Sequence, residues 1–351
     1  MEPTTCIPST RFMATHEYLM LVCHGATIFS VPAHVFAIYC ILYKTPEQMK
    51  SVTWYFVNLH IWTVLYDYSV CLMTVPVMLI PTMSGYTLGM WNYFGVSLIW
   101  QTVLVFVFLI YMLLSILAIF ENRFHTVCSF RWKIYWTPVR PFWLVIHYII
   151  GIGILIPFFF LTPDQNVARK NVLKQLPCLP DYVPKSEIFV LADDMTYHMF
   201  SMVSFLVLGI LESAIFILLL IINTLYQLTA QKMSKKLFEM QKKFFIALLI
   251  QMLVPLIFLI IPCSYACYSI WFNYYNQAFT NTGVTAESFH GLVSTLVMIC
   301  IHRPYRDAFL DLFWKNRNAE RKISQMKNLS AQSVRNLSVQ SVSVKNSLIM
   351  K

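Results

Sequence analysis

The sequence predicts an all-α membrane protein, a bundle of seven transmembrane helices. Of its 351 residues 58% are hydrophobic and only 12% charged. Seven apolar runs approach the length that crosses a bilayer, and Lys and Arg fall between and after those runs. Soluble domains carry roughly 25% charged residues, so this chain has more apolar surface than a soluble fold can hide. No water satisfies peptide groups inside hydrocarbon, so each crossing must be a helix.

The elements follow in order. An amino tail, 1–17, precedes span one, Tyr18–Tyr43, which has no basic segment and cleavage site ahead of it and so acts as its own insertion signal. Span two is Trp54–Ile80. Span three, Val96–Phe120, is uncharged and ends in Glu121-Asn122-Arg123-Phe124. At about 1.5 Å per residue it is roughly 37 Å long, more than the roughly 30 Å hydrocarbon core, so Arg123 is expected to emerge at one face of the bilayer. Spans four to seven are Pro141–Leu161, Tyr197–Leu225, Phe244–Trp271 and Gly283–Ile301, closing a bundle over 18–301. After span seven, 302–317 carries Phe309, Leu312 and Phe313 at helical spacing beside Trp314, Lys315 and Arg317, the pattern of an amphipathic helix on the inner leaflet. The remainder, 318–351, is polar and serine-rich, the composition of a disordered tail open to phosphorylation.

An odd number of spans puts the termini on opposite sides. The amino-terminal side holds five Lys and Arg and the other side twenty-one, together all 26 in the chain. The positive-inside rule therefore places the amino terminus outside and the tail inside. The net charge of +10 is thus spent on orientation, and nucleic acid is excluded as a partner. The long outer connection, Thr162 to Asp194, carries Pro163, Pro177, Pro180 and Pro184, which argue against a continuous helix and suit a lid.

Three acids fall within the spans. A carboxylate at the bilayer centre costs on the order of 3 kcal/mol, so each must face the bundle interior or be protonated. Asp67, mid-way along span two, is either a functional polar core or a hydrogen-bonded packing residue. Glu287 and His290 share a helix face near the outer end of span seven, where they either meet a polar ligand or form a solvated pair. Glu212 in span five has no identifiable partner. His24, His34, His60, His147, His198 and His290 are spread over several spans, but none are at the i, i+4 spacing of a zinc site, which leaves an intramembrane zinc hydrolase a weak alternative. No motif implies a cofactor, and nine glycines leave little for a nucleotide loop. Of the nine cysteines only Cys6 and Cys178 fall outside, where they form a disulfide or remain free thiols. The sequons at Asn328 and Asn336 lie in the inner tail, beyond the reach of glycosylation.

Seven helices with an outside amino terminus and basic inner loops match the architecture of G-protein-coupled receptors. Glu121-Asn122-Arg123-Phe124 is like the acidic-Arg-aromatic triplet that holds many such receptors inactive, with Arg123 a switch or merely a positive-inside anchor. Pro255 and Pro262 interrupt the hydrogen-bond ladder of span six and allow its inner half to swing. Tyr305 and Arg306 follow span seven. The outer halves of the spans supply a candidate pocket of Trp100, Gln101, His198, Tyr265, Tyr268, Glu287 and His290.

Several segments in the same order carry a closer likeness: Cys6-Ile7-Pro8-Ser9-Thr10, Tyr43-Lys44-Thr45-Pro46, Phe120-Glu121-Asn122-Arg123, Leu176-Pro177-Cys178-Leu179-Pro180, Gln241-Lys242-Lys243-Phe244, Asn273 to Ala278, His290-Gly291 and Pro304-Tyr305-Arg306. With these the chain resembles the nematode serpentine chemoreceptors of class H, in the Str superfamily, over nearly everything but the tail. The resemblance implies a plasma-membrane receptor on sensory-neuron cilia that binds a small environmental or pheromone-like molecule and signals through a heterotrimeric G protein. The chain departs from rhodopsin-type receptors in lacking a cysteine at the outer end of span three and a proline within span seven. A ligand-gated channel of the inverted seven-helix type is the alternative, but it needs the amino end inside, against the loop charges.

Overall fold

The computed structural model describes residues 11–127, 133–230 and 234–312. Helix α1 (His16–Tyr43) starts on Thr15, whose Oγ1 accepts from Tyr18 N at 3.2 Å. Helix α2 (Lys50–Tyr68) continues into a π-helical stretch, Ser69–Thr74. The long helices α3 (Leu98–Val127), α4 (Lys133–Gly153), α7 (Thr196–Thr229), α8 (Lys235–Trp271) and α9 (Gln277–Ile301) complete the bundle, with the short α5 (Ile156–Phe160) carrying α4 outward. Six of these crossings have the length and apolarity of membrane spans by themselves. The seventh is α2 with its π-helical extension, less apolar because it carries Asn58, His60 and Asp67.

Several boundaries differ from the sequence reading: α4 begins at Lys133, eight residues before Pro141, so that Pro138 and Pro141 lie inside it, and α9 begins at Gln277, six residues before Gly283. The run Trp54–Ile80 is not one helix: it leaves helical geometry at Val75, whose φ is 42°, and Pro76 opens a strand. Asp67 is therefore next to last in α2 rather than mid-span. Helix α3 runs a further turn past Arg123 to Val127, so Arg123 does not mark the exit point. Helix α8 begins nine residues before Phe244, capped by Ser234 Oγ, which accepts from Leu237 N at 3.2 Å. Pro255 and Pro262 both lie inside it. After span seven, residues 303–312 are helical, while Phe313 and the tail lie outside the described residues.

The outer connections build a small cap. Strand β1 (Pro76–Met78) pairs antiparallel with β2 (Ser84–Thr87), and β2 pairs with β3 (Phe189–Val190). Helix α6 (Gln165–Gln175), capped by Asp164, precedes the prolines at 177, 180 and 184, which end helical structure as the sequence implies. Val77, Leu79, Ala168, Val172, Leu176, Leu179 and Ile188 form a core separate from that of the bundle. Burial lifts the phenols of Tyr86 and Tyr275 above their ordinary range, and Tyr182 beside them adds to the effect. The cap is tied downward by Gln277 Nε2, which donates to Met78 O at 3.0 Å; Asn281 Nδ2 donates to Met13 O at 3.0 Å and so holds the amino segment, to which the cap is joined by Tyr182 OH donating to Ala14 O at 3.2 Å.

Glycine is required where the cap approaches the bundle: a Cβ on Gly89 would collide with the backbone of Met73 and Thr74. Gly25 on α1 has open space around it. Gly89→Ala is expected to lower the thermal midpoint of the purified protein. Gly25→Ala is expected to leave it unchanged or raise stability by up to about 1 kcal/mol through helix propensity. Fluorescence-monitored unfolding of both variants checks this pair.

Candidate functional site

Two polar centres emerge from the bundle. The first surrounds Asp67, whose side chain is 2% exposed. His34 of α1 places Nε2 3.3 Å from Oδ2, and His290 of α9 places Nδ1 3.4 Å from Oδ1. Gly291 N donates to Oδ1 at 3.2 Å. A carboxylate only accepts, so the facing histidine nitrogens supply the hydrogens. The other ring nitrogen of His34 lies 3.1 Å from Thr295 Oγ1. His60 Nε2 sits 3.1 Å from the carbonyl of His34 and must donate to it. Glu287 accepts from Tyr66 OH at 3.2 Å, and the Tyr66 ring meets His290 edge to face at 5.8 Å.

Glu287 and His290 thus share a face, as their spacing requires, but that face is turned to α2. His290 is 3% exposed, not a member of a solvated pair at the mouth. The carboxylate of Asp67 occupies the space a side chain on Gly291 would need. The histidines were visible in the sequence; their convergence was not, because it joins residues 33 and 223 positions away from Asp67.

The second centre is at the inner end. Glu121 does not pair with Arg123. Arg140 of α4 grips it with two bonds, Nε to Oε1 at 2.7 Å and Nη2 to Oε2 at 2.8 Å, while Trp136 Nε1 donates to Oε1 at 2.8 Å. Arg140 also donates to Asn122 Oδ1 at 3.2 Å and to His125 Nδ1 at 2.9 Å. Residues two apart on a helix do not face one another, so Glu121 turns to α4 and Arg123 to α8. The Arg123 guanidinium lies 3.5 Å from the centre of the Phe244 ring, and its Nε is buried without a hydrogen-bond partner.

Around Phe244 gather Phe56 of α2 and His302, at ring separations of 6.5 and 5.8 Å. Tyr305 is fully buried beside them and hydrogen-bonds Thr45 at 2.7 Å. A cavity of about 1340 Å³ opens here between α3, α7, α8 and the end of α9, lined by Arg123, Thr126, Lys242, Phe244, His302 and Arg306 among others.

The other expected residues are dispersed. Trp100 is 54% exposed and packs on Phe159, and Tyr268 is 52% exposed, so neither lines an interior pocket. Gln101 is buried, its amide donating to Asn92 Oδ1 and Val96 O at 2.9 and 2.8 Å. Tyr265 OH donates to Asn276 O at 3.1 Å. His198 is 1% exposed against Phe158, with both ring nitrogens unpartnered. Glu212 has a partner after all, His147, at 3.0 Å. Cys178 is disulfide-bonded, the six other described cysteines are free, and Cys6 lies outside the described residues. Among the described residues no three His, Cys, Asp or Glu side chains converge as a metal site.

Both centres are testable. Arg140→Ala strands a buried carboxylate and is expected to cost about 3–5 kcal/mol, most of it regained in Glu121→Leu/Arg140→Leu. Chemical denaturation of the purified variants reads the difference. Asp67→Ala, which leaves His34 and His290 without their acceptor, is expected to cost about 1–3 kcal/mol in the same assay.

The profile of a family described as Serpentine type 7TM GPCR chemoreceptor Srh matches residues 14–315. Serpentine receptor class H-72 of Caenorhabditis elegans is 26% identical over 318 residues, which are 90% of this chain and 92% of that protein. Among solved structures, the crystal structure of squid rhodopsin superposes with a TM-score of 0.56 at 11% identity, covering 87% of each chain.

Proposed function

The chain belongs to the Srh family of serpentine seven-transmembrane chemoreceptors, and from that membership we propose that it binds a small environmental or pheromone-like molecule and signals through a heterotrimeric G protein. It is an integral membrane protein with a rhodopsin-like fold. The observation that carries the signalling part is the inner cavity of about 1340 Å³, where Arg123 and Lys242 face the side on which the loop charges put the cytoplasm. A cavity that size, bordered by cations and by α8 with its internal Pro255 and Pro262, suits a protein partner that engages when α8 moves.

The ligand, in this reading, enters from outside and is sensed by inward-lying groups at the outer half of the bundle: His198, Gln101, Tyr265, Glu287 and His290. His198 supports it best, since two unpartnered nitrogens in a buried site leave hydrogen bonds for a ligand to complete. Asp67, bonded to both α1 and α9 from α2, links that region to the bundle core. Glu121, held by Arg140, fixes α3 to α4, so that Arg123, Pro255, Pro262, Tyr305 and Arg306 are the groups that rearrange at the inner face. Cys6 is the partner we assign to Cys178, tying the amino tail to the cap. The site of action is the plasma membrane of sensory-neuron cilia.

Arg123→Ala is expected to change G-protein activation at least tenfold while surface delivery, followed with an amino-terminal tag on intact cells, stays as in the parent. Unaltered responses with normal delivery would remove Arg123 from the mechanism. An amino-terminal tag stained only after permeabilisation would overturn the orientation on which the reading stands.

A further inference from the structure

Asp67, Glu121 and Glu212 each face an imidazole or a guanidinium: Asp67 meets His34 and His290, Glu121 meets Arg140, and Glu212 meets His147. Glu287 differs from them. Among the described residues its hydrogen-bond donor is the Tyr66 hydroxyl at 3.2 Å, and no Lys, Arg or His nitrogen lies within ion-pair distance of it. At about 1.5 Å per residue it sits roughly 15 Å along α9 from Gln277, the residue bonded to the cap, and so well below the outer surface. A carboxylate at such depth is costly without a cation, and a phenol supplies none.

Its neighbour on the same helix face is short of a donor too. His290 is 3% exposed. Its Nδ1 gives a hydrogen to Asp67, so Nε2 of the neutral ring is a lone pair, and that atom is buried with no hydrogen-bond partner. Tyr66 joins the two groups, bonding Glu287 through its hydroxyl and meeting the His290 ring edge to face. Glu287 and His290 stand close enough for their charges to interact. The corner they form offers a carboxylate and a lone pair, both acceptors, and is complementary to hydrogens carried by a positive centre.

Across from this corner α8 leaves room. The Cys263 thiol is within electrostatic reach of Glu287 and of Cys267, one turn along α8. Cys263 is nevertheless exposed, and Cys267 and Glu287 each keep part of their surface. Pro262 comes within 3.4 Å of the position a Cβ on Gly283 would take, so α8 and α9 touch one turn outward of Glu287. Leu259 and Val284 pack into one apolar cluster on the same two helices.

We propose that Glu287 and His290 hold the ammonium end of a small primary amine, with Cys263 lining the gap it enters. This rests on the proposal that a ligand is sensed in the outer half of the bundle, and it names the chemical class of that ligand. An ammonium carries three N–H donors and one positive charge. One hydrogen goes to the Glu287 carboxylate, a second to Nε2 of His290, and the charge balances the acid. An alcohol brings a single donor and no charge, a carboxylate brings like charge, and a quaternary ammonium brings charge without a hydrogen. A site built to bond an N–H strongly rejects analogues that lack it, because its own buried polar atoms are then left unpaired.

The test follows alkylation of Cys263 by iodoacetamide in the purified full chain at neutral pH, read at that residue by mass spectrometry. Primary n-alkylamines from methylamine to hexylamine, at about 10 mM, are expected to slow it, the best of them roughly tenfold, as a ligand at about ten times its Kd does. The alcohol of the same chain length and tetramethylammonium are expected to leave the rate unchanged. Glu287→Gln, which keeps an acceptor for Tyr66 and removes the charge, should abolish the protection. Cys263→Lys decides the matter if that variant does not fold: its tethered ammonium should raise the thermal midpoint and remove the further rise that the amine gives the parent chain. Rates indifferent to every amine would assign the gap to water and overturn the proposal, as would protection that survives Glu287→Gln or a Cys263→Lys chain that amines still stabilise. Both readouts are taken without a G protein. Amine binding by a chain that activates none would therefore sink the signalling reading alone, and G-protein responses from a chain that binds no amine would sink this proposal alone.

Discussion

In a bilayer no water rescues a polar side chain, so each carboxylate in this bundle must find its hydrogen-bond donors within protein. Asp67 shows how far that constraint reaches. Its two oxygens take hydrogens from α1 and from the side chain and backbone of α9. One carboxylate on α2 therefore fixes the relative positions of three helices. The cost of burying the charge is offset only while all its donors remain, which makes the arrangement specific: no other rotation of α1 or α9 brings a histidine to it.

The same constraint explains the inner face. A buried Glu121 requires a cation, and Arg140 supplies one in a two-pronged geometry that a flexible point charge does not reproduce. With the acid taken by α4, Arg123 is left to an aromatic ring on α8. A cation over a ring holds the two helices more loosely than a buried ion pair does, at about 0.5–2 kcal/mol. The tight contact thus joins helices that stay together, α3 and α4, and the weak one joins α3 to the helix carrying Pro255 and Pro262. The outer end is arranged the other way, closed by a cap with its own apolar core.

Much of this was legible from the chain. Hydropathy alone yields seven crossings, because length and apolarity are properties of consecutive residues, and the charge of the connections yields their direction. The prolines of the outer connection place the end of α6. The i, i+2 spacing of Glu121 and Arg123 already forbids their pairing, a signal the resemblance to an acidic-Arg triplet obscures. The boundaries that moved did so for local reasons that hydropathy does not register. Val75 and Pro76 break the run where its apolar character continues unchanged to Ile80, and polar residues at the inner ends of α3 and α8 extend helices past the hydrocarbon.

What the sequence determined by itself is the solvent: a chain this apolar, with its cations gathered on one side, can only be a helical bundle inserted in one direction. Which polar groups meet was decided by tertiary structure. Asp67 with His34 and His290, Glu121 with Arg140, and Glu212 with His147 are each separated by at least 19 positions. The physical reason is that hydrophobicity acts residue by residue, whereas a hydrogen bond depends on a distance of about 3 Å, which exists only once the helices have packed and each has settled its rotation.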